Sequence, residues 1–342
     1  MEMKIETRVL LTAIGSFSAP AVIRGLREMG FSVIGTDIYE KEWVAESAEV
    51  DRFYQAPPAA EEARYLSFLQ ELIIKEEISF LVPLIDAEID VLNRNRALLE
   101  RLGVTLCMSG EAEIRLLRSK LSLTERVSGW LSRPENAAFS GQFRTIPTER
   151  ASEADFETVR YPLILKPDDG RSSSGLYRIY QEDQLGFAFS NIMDPSKLSD
   201  DSLTRYLVQP LLRGNVVTVD VVRDHRGNCL VAAREELLRT ANGAGLSVRL
   251  FRDPELERFC RELAGELGIL GAVNFELIRG EGSGIYYFVE CNPRFSGGTA
   301  FTVLSGLPLV RDSMRVFLGE ELGAQPALRE GYMTRKYIEC RM

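Results

Sequence analysis

The run FVECNPRFSGGT, residues 288–299, constrains this chain more than any other stretch. Ile285 to Val289 are β-branched or aromatic and follow a Gly-rich turn, which predicts a strand. Glu290, Asn292 and Arg294 then recur at every second position. A continuing strand sends these three to one face and Cys291 and Pro293 to the other. A carboxylate and an amide oxygen so spaced are hard ligands suited to Mg²⁺, which favours one or two carboxylates together with substrate phosphates. Arg294 adds a planar fork for phosphate or carboxylate. Gly297 and Gly298 allow backbone N–H groups to approach a ligand closely. Glu-x-Asn by itself is also the polar end of an ordinary strand, so the rest of the chain decides.

Towards the N-terminus, strands and helices alternate. Residues 8–14 read as a strand, Ala19 to Met29 as a helix and FSVIGTD as a second strand ending in Asp37. A helix over 61–75, a strand over 78–84, a helix over 87–102 and a short strand over 104–108 follow. This order predicts a parallel, doubly wound sheet. The first turn, GSFSAPA, offers only Gly15 and lacks the G-x-G-x-x-G fingerprint, which disfavours a nicotinamide or flavin enzyme. Asp86 and Glu88 stand where open α/β sheets hold ligands, and equally where a helix takes first-turn acids, the second weighing slightly more.

Residues 110–131 read as one helix carrying Lys120, with Ser109 or Ser119 as its cap, and 132–150 as a connector. A strand with Lys166, the loop DDGRSSSG and the strand LYRIY make a hairpin suited to covering phosphate. Gly170, Ser172, Ser173, Ser174 and Gly175 supply N–H and hydroxyl donors there, beside the lysine charge. A plain polar hairpin fits that pattern equally well. The strand YLVQPLL carries Gln209, VVTVDVVRD follows, and a further strand ends in Arg234, before an irregular stretch over 239–247. Asp253-Pro254 starts a helix to Leu267. GAVNFELI is a strand with Asn274 and Glu276 on one face. Paired with the strand of Glu290, it brings a third oxygen ligand to the same metal, from Glu276 or, one step earlier, Asn274. A helix from about Pro308 and a closing strand, TRKYIECR, end the chain.

Taken together, Lys120, Lys166 with its loop, Gln209 and the Glu276…Glu290-x-Asn292-Pro-Arg294 strands resemble, in order, the signature of the ATP-grasp superfamily. The likeness is to the version in the carbamoyl-phosphate synthase large chain and related carboxylate–amine ligases, and it runs from about residue 8 to 320. It implies an α/β and α+β fold: a Rossmann-like domain over 1–109, a linker helix and mobile lid lobe over 110–207, and a core lobe with the metal site over 208–342. It further implies ATP and Mg²⁺, with Mn²⁺ as a substitute. Lys120 and Lys166 would hold phosphate oxygens, Gln209 the adenine amine, Glu276, Glu290 and Asn292 the metal, and Arg294 the moving phosphoryl. Three positions depart from the usual pattern: Arg171 stands where a glycine or alanine is common, Gln209 replaces a glutamate, and Val216 stands where a ribose-binding acid is common.

Composition narrows the alternatives. A formal charge of −9 argues against nucleic acid, and a lone histidine, His225, leaves little scope for Ser–His or Cys–His catalysis. The five cysteines show no CxxC pairing. With no signal peptide and no long apolar run, the expectation is a cytoplasmic enzyme without membrane partners, and a homodimer is compatible. The function implied is ADP-forming ligation of a carboxylate to an amine through an acyl phosphate, on an amino acid or small peptide. A bicarbonate-using enzyme like carbamoyl-phosphate synthase and a non-catalytic nucleotide-binding protein are the alternatives.

Overall fold

The structure, a computed structural model, describes residues 7–170, 174–193, 202–241 and 243–342. Chain order begins with β1 (Arg8–Leu11), α1 (Ala19–Glu28), β2 (Ser32–Asp37), β3 (Arg52–Gln55), α2 (Glu62–Lys75), β4 (Phe80–Val82), α3 (Asp86–Arg94), α4 (Arg96–Glu100) and β5 (Thr105–Leu106). These strands form a parallel sheet of order β3-β2-β1-β4-β5, the doubly wound sheet that the alternation predicts. β1 is shorter than read from sequence, because the chain leaves the sheet at Thr12 and Ala13 adopts a positive φ of 53°. The helix expected over 87–102 is two, broken at Asn95. The Gly15 N–H, the one N–H that a nucleotide pyrophosphate would need, donates to Asp37 Oδ2 at 2.8 Å.

Two further sheets follow. α5 (Glu111–Arg118) and α6 (Lys120–Leu131) replace the single helix expected over 110–131. Ser119 breaks them and caps α6, accepting from the Ser122 N–H, whereas Ser109 bonds the Leu270 backbone. The connector yields β6 (Phe143–Thr145) and β7 (Glu149–Arg150), and β8 (Leu163–Pro167), β9 (Tyr177–Ile179), α7 (Leu185–Ile192) and β10 (Tyr206–Pro210) come next. An antiparallel four-stranded sheet, β7-β10-β8-β9, carries Lys166 and Gln209.

The rest of the chain is β11 (Gly214–Arg223), β12 (Cys229–Arg239), β13 (Gly245–Phe251), α8 (Pro254–Glu266), β14 (Gly271–Gly280), β15 (Tyr286–Asn292), α9 (Thr299–Ser305), α10 (Leu309–Phe317) and β16 (Gly331–Thr334). With β6 these make a seven-stranded sheet, β16-β13-β12-β11-β14-β15-β6. β12 runs past Arg234 to Arg239, and most of the stretch read as irregular is its turn into β13. The closing strand is β16, upstream of where TRKYIECR had placed it.

Strand alternation gives the large sheet two unlike faces. Val219, Val221, Val231, Ala233, Phe275 and Leu277 point to one core, against Phe259 and Leu263 of α8 and Val127 of α6. On the opposite face Val222, Leu230 and Ala232 join α1 and α10 in a second core, so the parallel domain is packed directly onto the large sheet. Further along that same face the residues turn polar. Arg234, 1% exposed, bonds Asp220 at 2.7 Å, Glu236 at 3.0 Å, Ser296 at 2.9 Å and Thr302 at 3.2 Å. A Cβ on Gly298 would lie 2.5 Å from this guanidinium. Glycine there makes room for an arginine, rather than for the ligand expected from sequence.

Removing one partner of a buried ion cluster leaves the others uncompensated. Arg234→Leu is therefore expected to lower unfolding stability by about 3–5 kcal/mol. Urea denaturation checks this, and a loss near zero would mean that Asp220 and Glu236 are hydrated.

Candidate active site

The polar end of the sheet face is a ladder in register. Glu290 on β15 stands opposite Glu276 on β14, Glu276 opposite Thr218 on β11, and Thr218 opposite Arg234 on β12. One alternation along, Asn292, Asn274 and Asp220 form a second rung. A register shift after Glu276 displaces Val289 from the ladder, so Leu277 pairs with Phe288. Glu290, Asn292 and Arg294 do share a face: Asn292 Nδ2 lies 3.4 Å from Glu290 Oε1, and Arg294 Nη2 3.4 Å from Asn292 Oδ1. Asn274 Oδ1 is taken by Asn292 Nδ2 at 3.2 Å, and its own Nδ2 donates to the Arg294 carbonyl at 3.1 Å. Glu276 is thus the residue that faces Glu290, its carboxylate accepting from Arg239 Nη2 at 3.0 Å, while Asn274 is tied to Asn292 and to the Arg294 carbonyl.

Two cavities meet at these carboxylates. The smaller, of about 180 Å³, lies between the four-stranded sheet and the large one. Ile164, Leu176, Ile278 and Val289 line it as an apolar part, and Lys120 and Lys166 supply its charge. The larger, of about 510 Å³, opens towards the parallel domain, with Ser16, Phe17 and Asp86 on one side and Arg234, Glu236 and Arg294 on the other. Ser174, Arg239, Glu276 and Glu290 line both.

Charges are packed closely here. Lys120 is buried rather than solvated, as a lysine on a charged helix ordinarily is; its Nζ donates to the Gly170 carbonyl at 2.6 Å and sits 3.7 Å from Glu290 Oε2. Burial pushes the Lys166 ammonium down to about 8, with Glu290 opposing and Lys120 assisting. Burial works to raise Glu290, but Lys120 and Lys166 bring it below its usual range. Burial raises Glu276, opposed by Arg239 and reinforced by Glu290. Asp86 does sit in the first turn of α3, yet its carboxylate spans to Arg294, at 3.0 and 3.2 Å. Burial works to raise Asp86; Arg294, Arg118 and Lys120 hold it below the ordinary carboxylate value. Glu88, by contrast, accepts from Thr12 Oγ1 at 2.5 Å inside the parallel domain.

The sequence candidates therefore converge. Lys120, Lys166, Gly170, Ser174, Gln209, Glu276 and Glu290 line the smaller cavity, and Asn292 and Arg294 the larger. Val216 lines the smaller cavity as an apolar wall. Gln209 is 3% exposed and donates to Thr148 Oγ1 at 2.7 Å. Gly175 takes a positive φ of 71° under the Tyr206 hydroxyl, and the Gly170 N–H closes a turn onto Pro167. Arg171, Ser172 and Ser173 lie outside the described residues. Sequence reasoning missed Asp220, Arg234, Glu236 and Arg239. For Asp220 the signal was present, since VVTVDVV alternates Thr218 and Asp220 against valines.

Lys166 yields a pH test. Its folded value of about 8 lies below the roughly 10.4 of an exposed lysine. The unfolded chain therefore binds the proton more readily between those values, and unfolding stability rises with pH across that window. Relative to Lys166→Met, the wild type should gain on the order of 1–3 kcal/mol between about pH 8 and 10. Parallel stability curves for the two proteins would contradict the buried, depressed lysine.

Residues 202–339 match the family described as ATP-grasp in the biosynthetic pathway with Ter operon, and residues 10–107 match the PylC-like N-terminal domain. The carbamoyl phosphate synthase large chain of Clostridium perfringens is 25% identical over 171 residues, 47% of this chain but only 15% of that protein's length. Among solved structures, the biotin carboxylase domain of Hydrogenobacter thermophilus 2-oxoglutarate carboxylase, a dimer in complex with MgADP, ADP and bicarbonate, superposes with a TM-score of 0.72 at 22% identity, covering 95% of this chain and 73% of that one. The L-amino acid ligase of Bacillus licheniformis superposes with a TM-score of 0.67 at 13% identity, over 92% and 75% of the two chains. The chain thus carries an ATP-grasp domain over residues 202–339, preceded by a PylC-like N-terminal domain over residues 10–107, and is homologous to the carbamoyl-phosphate synthase large chain.

Proposed function

We propose that this protein is an ADP-forming carboxylate–amine ligase that acts on an amino acid or small peptide through an acyl phosphate. The observation that carries the reading is the position of Glu276 and Glu290, opposite each other in the sheet and shared by two cavities of different character. One cavity has an apolar part and two lysines, which suits a base and its phosphates. The other is wide and polar, which suits a small-molecule acceptor.

The residues fit both ATP and its metal. Lys120 and Lys166 repel one another in a buried site, a cost that phosphate oxygens would relieve. Glu276 and Glu290, with the Asn292 amide, are the hard oxygen donors that Mg²⁺ prefers. Bound there, Mg²⁺ supplies charge neutralisation for phosphate oxygens during transfer. Gln209 takes the exocyclic adenine amine through its carbonyl oxygen, and the loop of Gly170, Ser174 and Gly175 covers the phosphates.

The reaction asks for no protein nucleophile. A substrate carboxylate oxygen forms a bond to the γ-phosphorus as the bridging P–O bond breaks, and the electron pair leaves with ADP. The amine then attacks the acyl carbon, phosphate departs with the C–O electron pair, and the amine loses a proton. Positioning and charge neutralisation account for most of such catalysis. Arg294 stabilises the moving phosphoryl group, and Asp86 aims its fork. Water must be kept from an acyl phosphate, which is the use of a lid.

Bicarbonate is the second candidate for the carboxylate, since carbamoyl phosphate synthase is among the relatives. A cavity of about 510 Å³ is far larger than that ion requires and favours an amino acid or peptide. ADP release measured against pooled amino acids and against bicarbonate, each with and without Mg²⁺, separates the two. Release that depends on neither acceptor nor metal would overturn the ligase reading.

Two variants divide binding from chemistry. Glu290→Gln removes ligand charge and should weaken nucleotide affinity along with rate. Arg294→Lys keeps the charge but loses the fork, so ATP affinity should hold while turnover falls by about ten- to a thousandfold. Normal turnover in Arg294→Lys would show that another cation stabilises the transferred group.

A further inference from the structure

Gln209 lines the smaller cavity among the apolar side chains of Ile146, Ile164, Leu212, Val216 and Ile278. An amide, unlike a carboxylate, has one accepting end and one donating end. Which end meets a ligand therefore depends on what holds the other. β10 pairs antiparallel with β8, Gln209 opposite Ile164, and with β7, Val208 opposite Glu149. One residue further along that second register, Thr148 stands opposite Gln209. It lies where the chain crosses from β6 in the large sheet to β7 in the four-stranded one.

The bonds at Thr148 settle the direction of the amide. Its hydroxyl has one hydrogen, which Oγ1 donates at 2.7 Å to the Ile146 carbonyl, a group that can only accept. Towards Gln209 the same oxygen must therefore accept, and Gln209 Nε2 donates to it at 2.7 Å. Turning the amide over would cost one of these two bonds, beside the buried Ile146 and Gln209. Gln209 Oε1 has no partner among the described residues. Thr148 lines a separate groove, with Pro147, Arg160 and Leu163, and Gln209 lines both that groove and the smaller cavity. The donor end of the amide is thus held from behind, and the acceptor end is left for the cavity.

We propose that Thr148 is a positioning residue for base selection: by holding the Gln209 amide with its oxygen towards the cavity, it makes the site take an adenine nucleotide and refuse a guanine one. The inference rests on the reading of the smaller cavity as the nucleotide site. Adenine presents an exocyclic amine, a donor that Gln209 Oε1 accepts. Guanine presents a carbonyl at the same ring position, and two acceptors would then face each other in an apolar pocket. Without the Thr148 hydroxyl the amide can offer either end, so the discrimination is lost. Affinity for the phosphates is not, because Lys120, Glu276 and Glu290 act on a part that both nucleotides share.

The test measures binding of the non-hydrolysable imido analogues of ATP and GTP in excess Mg²⁺, and so needs no knowledge of the acceptor. Wild type, Thr148→Val, Thr148→Ser and Gln209→Leu are compared by calorimetry, with thermal melting to confirm folding. Valine keeps the shape of threonine without the hydroxyl, serine restores the hydroxyl, and Gln209→Leu removes the amide while leaving Thr148 in place. Wild type should prefer the ATP analogue by about ten- to a hundredfold. Thr148→Val and Gln209→Leu should each reduce that preference by on the order of tenfold, and Thr148→Ser should keep it. Equal affinity of wild type for the two analogues overturns the proposal, as does a preference that survives in either Thr148→Val or Gln209→Leu. So does weaker binding of both analogues at an unchanged ratio, which would make Thr148 only a support for the sheet. Wild type that binds neither analogue instead overturns the nucleotide reading, and this proposal with it.

Discussion

Two glutamates face each other across β14 and β15, and like charges placed directly opposite in a sheet destabilise it. Their surroundings read as a set of compensations. Lys120 approaches Glu290, Arg239 bonds Glu276, and Lys166 is close enough to both for their charges to raise its proton affinity against burial. The balance is incomplete, because Glu276 remains raised and Lys166 remains lowered. Strained electrostatics of this kind is what a divalent cation and a polyphosphate would relieve together, the first from the carboxylates and the second from the lysines.

The same constraint explains why the parallel domain is packed so tightly onto the ATP-grasp domain. Asp86, at the start of α3, ion-pairs with Arg294, which lies 208 residues further along the chain. Apolar contacts among α1, α10 and the far end of the large sheet hold the two in register. The candidate site is therefore divided between domains: one supplies the carboxylate pair, the other orients the cation next to it. Arg234 closes the floor beneath, tying β11, β12 and the residues before and within α9 into one buried network.

Much of this was legible from sequence because it depends on short-range periodicity. The alternation in Glu290, Asn292 and Arg294 placed them on one face, and the first βαβ unit announced its parallel sheet. Asp253 capped α8 as its Asp-Pro pair implied. What stayed hidden depends on breaks in period or on contacts distant in sequence. Ser119 divides a stretch that reads as one continuous helix, because it accepts a capping bond and Asp168, from beyond the connector, bonds there as well. β6 looked like connector because the strand it pairs with, β15, lies far along the chain. Asp86 looked like a helix-dipole acid until Arg294 was placed beside it, and Arg239 could not be assigned to the site without the register shifts that turn it over. Gly298 was legible as a close approach, but of Arg234 rather than of a ligand.

On the proposed reading, the paired carboxylates hold a metal that meets the nucleotide phosphates. Titrating the intact protein with a non-hydrolysable ATP analogue, once in excess Mg²⁺ and once in a chelator, tests it most directly. Binding should be tight with the metal and weaker by at least about tenfold without it, since phosphate charge would then meet Glu276 and Glu290 unshielded. Equal affinity under both conditions, or none under either, would mean that Glu276 and Glu290 hold no metal for a nucleotide.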